Sequence, residues 1–112
     1  IRVLQFNMLA DGLSGLREDL GAFSRAKKEY VDWNSRKNRL LHEIIQYDPD
    51  VITLQECDRY YDFFLPELVK IGYDGTFAPK PASACLQVSS RSDGCAIFVR
   101  RDKLTIISTE VI

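Results

Sequence analysis

The sequence predicts an α/β fold with a mixed sheet. A β-rich apolar segment opens the chain, an amphipathic helical pattern follows it, and a second short apolar run comes directly after that pattern. Strand, helix and strand in this order favour a parallel pair, because a parallel connection needs a long crossover that is usually a helix. Two short strand patterns near the end of the chain are joined by only a few residues, which favours antiparallel pairing there. Together these observations indicate a mixed sheet covered by helices.

The first strand is the segment "IRVLQFNML", which we expect to end at Asn7. Its residues have high β-propensity and are apolar on both alternating faces, so the strand should be covered on both sides. The stretch from Asp11 to Tyr30 contains three glycines and mixed charges without a sustained period. We expect a long loop there, with room for one helical turn.

The first helix should begin near Asp32 or Asn34, either of which can cap it. Apolar residues then repeat at helical spacing, namely Leu40, Leu41, Ile44 and Ile45. The sequence "DPD" should end the helix, because a residue before proline resists helical geometry. The apolar run "VITL" that follows predicts the second strand, parallel to the first.

The second half of the chain predicts one more helix and three short strands. The helix should run from about residue 62 to 71, with Pro66 in its first turn and Gly72 at its end. Strands are expected at 75–77, 95–100 and 104–111, with "RRDK" as the hairpin turn between the last two.

Composition narrows the class of protein. The 112 residues suit one domain, and 15 basic against 16 acidic residues give a net charge of −1, so no global basic field indicates nucleic acid or an anionic membrane. No apolar run approaches the roughly 20 residues that span a bilayer, and the N-terminus lacks a signal-peptide profile. Three cysteines without C-x-x-C spacing favour free thiols in a reducing compartment. We therefore expect an intracellular protein.

Asn7 and Glu56 are the candidate site residues. Both should lie at the carboxyl ends of neighbouring strands, which is the edge where open α/β sheets bind ligands. A carboxylate there can hold Mg²⁺, which typically uses one or two protein carboxylates and keeps several waters. The alternative is structural: Asn7 caps a turn, and Glu56 pairs with Arg2 or Arg36. Spacing alone leaves both interpretations open.

Four blocks of the sequence resemble the endonuclease/exonuclease/phosphatase superfamily, in the branch that also holds the Ccr-type poly(A) deadenylases. They occur in the order "VLQFNML", "WNSRKNRLLHEIIQYDPDVITLQECDRYYDFFLPEL", "GYDGTFAPKP" and "SDGCAIFVRR". The resemblance implies that residues 1–112 are the N-terminal part of one such domain, the N-terminal portion of a two-sheet α/β sandwich. Because the chain begins with Ile1 inside an apolar run, we also expect a fragment of a longer protein.

The resemblance also implies roles for individual residues. Glu56 resembles the family's Mg²⁺-binding glutamate, and Asn7 resembles the asparagine of its first motif, so both are candidate catalytic residues. Lys80, in "FAPKP", resembles a lysine that reaches the phosphates of the substrate. Pro79 and Pro81 restrict the backbone around this lysine, which helps it to hold an anion. The structural alternative is an ordinary exposed loop lysine.

The activity implied is a metal-assisted attack of water on phosphorus, with Mg²⁺ as the cofactor and Mn²⁺ as the alternative. The implied substrate is the 2′-phosphate of NADP(H), and the alternative is 3′-to-5′ hydrolysis of poly(A) RNA. The later "GDFN"-like and "SDH"-like blocks of the family are absent from these residues. We therefore expect the fragment alone to be inactive, and a non-catalytic truncated homologue that acts as a binding module is a third possibility. The expected compartment is the cytoplasm, with the mitochondrion as the alternative.

Other conspicuous side chains receive structural interpretations. His42 should face solvent on the first helix and not act in catalysis, and Trp33 should anchor the start of that helix in the core. Arg36 and Arg39 are expected on a solvated helix face. The aromatic cluster of Tyr60, Tyr61, Phe63 and Phe64 favours core and helix-capping contacts over a platform for nucleobases. Asp93-Gly94 indicates a turn that leads into a strand.

Overall fold

A computed structural model describes residues 1–14, 27–87 and 89–112. Most of the expected long loop, residues 15–26, lies outside the described residues. A single 3-10 turn at Asp11–Leu13 precedes that segment, and the short helix α1, Lys28–Val31, follows it. In the part of the chain that is described, no helix has the length and apolar character needed to cross a membrane.

In the described part of the chain, four strands form one mixed sheet with the order β1-β2-β4-β3. The strands are β1 (Val3–Asn7), β2 (Val51–Gln55), β3 (Tyr73–Pro79) and β4 (Gly94–Arg100). The pair β1–β2 is parallel, and the pairs β2–β4 and β3–β4 are antiparallel. The α/β fold with a mixed sheet is therefore confirmed, including the parallel pair.

The main helix, α2, covers Trp33–Gln46 and makes the crossover between the parallel strands. Asp32 is its N-cap, since the Asp32 carboxylate accepts a hydrogen bond from the backbone N–H of Ser35 at 3.2 Å. Of the two candidate caps, the structure therefore uses the first. The helix ends at Gln46, directly before the proline-containing turn, as the sequence predicts.

The second predicted helix forms in two parts. A π-helical turn at Tyr60–Phe64 continues into α3, Leu65–Lys70, with Pro66 in the first turn of α3. Gly72 follows with a φ of +101°, a left-handed conformation that a glycine adopts without a steric penalty. The proline and the glycine thus hold the positions expected from their backbone chemistry.

The core lies between the helices and one face of the sheet. Fully buried side chains include Ile44, Ile52, Leu54, Leu68 and Phe98. At these positions the burial removes apolar surface from water, which is the main favourable contribution to folding.

Aromatic side chains fill the end of this core. Trp33 is 8% exposed and packs edge-on against Phe63 and Phe64, which confirms its structural role. Tyr60 is buried and stacks on Phe77 with 4.8 Å between the ring centroids. Tyr61, however, is 72% exposed, so the core interpretation of the aromatic cluster is wrong for this one residue.

The predicted strand at 104–111 does not form, and the hairpin prediction is wrong. A turn after β4 closes through the backbone N–H of Leu104, which donates to the carbonyl of Arg100 at 2.9 Å. The residues after this turn pair with none of the described strands, although the hydroxyl of Thr76 forms a hydrogen bond with the hydroxyl of Thr109 at 2.9 Å. The physical reason is that β4 already has β2 on one side and β3 on the other, so neither of its hydrogen-bonding edges is free.

Among the described residues, strand β1 is covered on one side only. Leu4 and Phe6 are half-buried toward the helices, but Val3 is 62% exposed. On β4 the same outer face shows Ile97 at 44% exposure. The outer face of β1 carries Val3, Gln5 and Asn7, so only one of its three residues is apolar, and the expectation of a cover on both sides is wrong for the described residues.

Candidate active site

The parallel register places the two candidate residues together. Asn7 is the last residue of β1 and lies opposite Gln55, the last residue of β2, so Glu56 follows directly at the same edge. The Asn7 Nδ2 donates a hydrogen bond to the Glu56 Oε1 at 3.0 Å. The carboxyl ends of the parallel strands therefore hold an amide and a carboxylate in contact, as the sequence predicts.

The orientation of the Asn7 amide is set from its other end. Its Oδ1 accepts a hydrogen bond from the backbone N–H of Leu9 at 2.9 Å, which leaves Nδ2 directed at Glu56. Asn7 thus caps the turn after β1 and at the same time positions the carboxylate. The turn cap that the sequence suggested for this residue is therefore present, together with the contact to Glu56.

Glu56 does not pair with either arginine considered for it. The guanidinium of Arg2 donates to the carbonyl of Tyr47 at 2.6 Å. Arg36 instead donates to the backbone carbonyls of Val31, Met8 and Leu9, at 2.9 to 3.0 Å. The structural alternative for Glu56 is therefore not adopted.

Glu56 has a φ of +51°, a left-handed conformation that is costly for a residue with a side chain. Two backbone hydrogen bonds at the next residue hold it: Cys57 N–H donates to the Gly94 carbonyl at 2.9 Å, and Gly94 N–H donates back at 3.1 Å. Strain of this kind costs of order 1–3 kcal/mol per residue and is concentrated at functional sites. The conformation turns the Glu56 side chain out of the strand register.

Lys80 shares a cleft with these two residues. The cleft has a volume of about 390 Å³ and is lined by Asn7, Gln55, Glu56, Ala78, Lys80, Asp93, Gly94 and Cys95. Lys80 follows directly after β3 and is exposed. The structure therefore brings all three candidate residues to one depression at the sheet edge.

The donor atoms in the cleft suit part of a coordination sphere for a hard cation. Within residues 1–14, 27–87 and 89–112, no three His, Cys, Asp or Glu side chains form a group that could hold a metal ion. Mg²⁺ does not need such a group, because it can bind through one or two carboxylates and keep several waters. Glu56 fits as one such ligand, with Asn7 fixing its orientation.

Arg36 is the residue near the site that the sequence interpretation placed wrongly. It is half-buried, and burial is the main reason that the pKa of its guanidinium is lowered. Its guanidinium donates hydrogen bonds to the backbone carbonyls of Met8 and Leu9, the two residues that follow Asn7. Leu9 has a φ of +54°. Arg36 lies three residues after Trp33, and its guanidinium is 5.8 Å from the Trp33 ring. This i, i+3 spacing is the sequence feature that could have predicted the position of Arg36.

Cys57, the residue after Glu56, is a buried neutral thiol. Burial is the largest effect on it and raises its pKa to about 12. Because the thiolate is the reactive form, Cys57 is inert at neutral pH. Cys57 contributes to the site through its backbone, which forms two hydrogen bonds with the backbone of Gly94.

The mixed sheet and the cleft at its edge define an α/β protein with an amide, a carboxylate and a lysine gathered at the carboxyl ends of its parallel strands. The chain belongs to the Endonuclease/Exonuclease/phosphatase family, whose model matches residues 4–111. Among individual relatives, nocturnin of Mus musculus is 42% identical over 111 residues, which cover 97% of this chain and 25% of the mouse protein. Carbon catabolite repressor protein 4 homolog 1 of Arabidopsis thaliana is 37% identical over 105 residues, 92% of this chain and 17% of that protein.

Solved structures share the fold. The catalytic domain of human nocturnin with a bound sulfate anion matches with a TM-score of 0.72 and 42% identity, covering 91% of this chain and 33% of that one. ANGEL2, a 2′,3′-cyclic phosphatase solved in complex with adenosine-2′,3′-vanadate, matches with a TM-score of 0.76 and 27% identity, covering 95% and 29%. The resemblance to the superfamily is confirmed, and the similar proteins within it include nocturnin. The chain spans about a quarter of the length of the nocturnin sequence from mouse.

Proposed function

We propose that the protein containing these residues is a metal-dependent phosphoesterase that hydrolyses a phosphorylated nucleotide. The observation that carries this proposal is the contact between Asn7 and Glu56 in a cleft that Lys80 also lines. A carboxylate held by an amide, next to a lysine, combines a ligand for a hard cation with a donor for a phosphate oxygen. The sulfate bound to human nocturnin and the vanadate bound to ANGEL2 support a site for tetrahedral or phosphate-like oxyanions.

Each residue has a distinct task in this proposal. Glu56 holds Mg²⁺, with Mn²⁺ as the alternative, and the ion when bound supplies charge neutralisation at the phosphoryl oxygens. Asn7 keeps the Glu56 carboxylate in its orientation through the 3.0 Å hydrogen bond. Lys80 binds the phosphate of the substrate as a point charge.

The proposed substrate is the 2′-phosphate of NADP(H). Identity to nocturnin along nearly the whole chain supports this choice, as does the block around Lys80. The net charge of −1 supports it too, because an enzyme that follows several RNA phosphates gains from a basic groove. A dinucleotide instead requires only local cationic contacts.

A 3′-to-5′ exoribonuclease that acts on poly(A) is the second candidate. The similarity to carbon catabolite repressor protein 4 homolog 1 favours it, since the match covers most of this chain. Both candidates use the same metal ligand, so Glu56 does not separate them. A non-catalytic homologue that binds phosphorylated ligands is the third.

We further propose that residues 1–112 alone are inactive and that the activity needs a longer polypeptide. One carboxylate and one amide do not position both a metal and a nucleophile, and the relatives are several times longer than this chain. The apolar outer face of the sheet, with Val3 and Ile97 exposed, is consistent with a missing cover. The proposed location is intracellular, in the cytoplasm or the mitochondrion, which suits the free thiols of Cys57, Cys85 and Cys95.

The test compares two substrates with the full-length polypeptide encoded by the gene. Phosphate release from NADP⁺ and shortening of oligo(A) are measured with Mg²⁺ and again with a chelator. We expect metal-dependent phosphate release from NADP⁺ and little shortening of oligo(A). The opposite preference would replace the dinucleotide with RNA, and the absence of both activities would favour the non-catalytic homologue.

A further inference from the structure

A buried polar pair lies beneath the Lys80 side of the cleft. Asp93 and Ser83 are each 4% exposed, and the Ser83 hydroxyl donates a hydrogen bond to the Asp93 Oδ1. The Ser83 Oγ in turn accepts from the backbone N–H of Cys85 at 3.1 Å and from that of Asp93 at 3.3 Å. Burying a carboxylate is costly unless it is hydrogen-bonded, so this pair specifies one arrangement of the two segments that it joins.

The backbone of Asp93 holds the backbone of Lys80. The Lys80 N–H donates to the Asp93 carbonyl at 2.8 Å, and the Ser92 hydroxyl donates to the Lys80 carbonyl at 2.8 Å. Both backbone groups of the proposed phosphate-binding lysine are therefore satisfied by the two residues before Gly94. The lysine lies between Pro79 and Pro81, so few backbone rotations are left to it.

The next residue along, Gly94, reaches the other half of the site. It exchanges two backbone hydrogen bonds with Cys57, the residue after Glu56. A Cβ at Gly94 would collide with the carbonyl oxygen of Ala78, so the strands approach here as only glycine permits. Residues 92–94 thus connect the lysine and the carboxylate through consecutive backbone contacts.

We propose that Asp93 is a positioning residue, whose buried bond to Ser83 fixes the backbone of Lys80 relative to Glu56. This inference rests on the proposed function, because it assigns the lysine its task at the phosphate. The interpretation of Asp93-Gly94 as a turn into a strand is correct for Gly94 and incomplete for Asp93. Asp93 is one of the residues that line the cleft, but it is only 4% exposed, so its effect on the site passes through the lysine segment.

The first test measures backbone hydrogen exchange and needs no catalytic activity. In the full-length protein, Asp93→Ala should accelerate exchange of the Lys80 amide by about tenfold or more, because local opening sets the protection of such an amide. Asp93→Asn should restore most of the protection, since the Asn Oδ1 can still accept from Ser83. The matched control is Asp74→Asn, at the other end of β3, which loses only an exposed ion pair with Arg101.

The second test is a double-mutant cycle on turnover. Lys80→Met and Asp93→Ala should each raise KM for the phosphorylated substrate with little change in kcat, as expected when binding of ground state and transition state is lost equally. In the double variant the effect of Asp93→Ala should nearly vanish, because the lysine that it positions is gone. Full additivity of the two effects would overturn the inference and leave Asp93 a general stabilising residue.

Failure of the proposed function and failure of this inference give different results. If the protein has no turnover but Asp93→Ala accelerates exchange of the Lys80 amide, the inference stands and the proposed function is rejected. If the protein is active but Asp93→Ala leaves exchange of the Lys80 amide unchanged, the proposed function stands and the inference is rejected. Where Asp93→Ala does not fold, Ser83→Ala replaces it, since it removes the same bond from the other side and makes the same predictions.

Discussion

The side-chain amide of Asn7 contacts the carboxylate of Glu56 at 3.0 Å, although 49 positions separate them in the chain. The contact follows from the parallel register, in which the last residue of β1 lies opposite the last residue of β2. The helix α2 makes this register possible, because it carries the chain back to the end of the sheet where β1 begins, so that β2 runs in the same direction. The fold therefore creates the site.

Asn7→Ala should weaken metal binding without unfolding the sheet. The variant removes a hydrogen bond to a charged group, which is worth about 1.5–3 kcal/mol, so the Mg²⁺ concentration for half-maximal activity should rise roughly tenfold or more. Gln5→Ala is the control, because Gln5 lies two residues earlier on the same face and makes only a 3.5 Å contact with Gln55. Equal Mg²⁺ requirements in both variants would show that Asn7 does not orient the ligand.

Cys95 should report occupancy of the cleft. It is exposed and lines the cleft with Glu56 and Lys80, whereas Cys57 and Cys85 are buried. A thiol reagent at neutral pH should therefore label Cys95 first, and Mg²⁺ together with a phosphorylated nucleotide should slow that labelling. The pKa of Cys57, near 12, keeps it unreactive in the same experiment and makes it an internal reference. Labelling of Cys95 that ignores saturating ligand would contradict the location of the site.

Arg36→Met should destabilise the protein, although the residue is charged and belongs to a helix. The change leaves three backbone carbonyls without the donor that now satisfies them. We expect the free energy of unfolding to fall by about 1–3 kcal/mol, as for other unsatisfied buried groups. Arg39→Met, at an exposed position of the same helix, should change it by less than about 0.5 kcal/mol. Denaturant unfolding of both variants measures these changes in the free energy of unfolding. Similar losses of stability in the two variants would show that Arg36 behaves like a residue on a solvated helix face.

Stability should decline in acid through Asp50. A hydrogen bond from the backbone N–H of Arg2 and another from the side chain of Lys103 lower the pKa of Asp50 from 3.8 to about 2. A depressed folded-state pKa stabilises the protein fully above the unfolded-state value, and that stabilisation is lost as the pH falls from about 4 to 2. Asp50→Asn should be less stable at pH 7 and should lose less stability over that interval. Parallel acid profiles for the two proteins would exclude Asp50 as a contributor.

Much of the first half of the fold can be predicted from local signals. The cap at Asp32, the apolar repeat of α2 and the proline after it act within a few residues, so the sequence displays them directly. The meeting of Asn7 and Glu56 was predictable for the same reason, since a strand, a helix and a strand imply a parallel pair with both ends at one edge.

The remaining features depend on tertiary neighbours that no local pattern reveals. The segment 104–111 has strand-like residues, but both edges of β4 are occupied, so its β-propensity is overridden. Tyr61 belongs to an aromatic run whose other members pack inward, yet the π-helical turn directs this one to solvent. Arg36 is half-buried because the loop after β1 passes over the start of α2 and accepts hydrogen bonds from its guanidinium.

The role of Glu56 as a metal ligand is tested by measuring Mg²⁺-dependent phosphate release by the full-length protein carrying Glu56→Gln. Glutamine keeps the size of the side chain and an oxygen that can accept from Asn7, but it removes the charge that holds a hard cation. The matched control is Glu67→Gln, which affects only a surface ion pair with Lys70. We predict that Glu56→Gln lowers kcat/KM by at least about a hundredfold, a loss of roughly 2.7 kcal/mol of transition-state stabilisation, while Glu67→Gln retains wild-type turnover. Wild-type turnover in Glu56→Gln at the same Mg²⁺ concentration would show that the Glu56 carboxylate does not hold a catalytic metal ion.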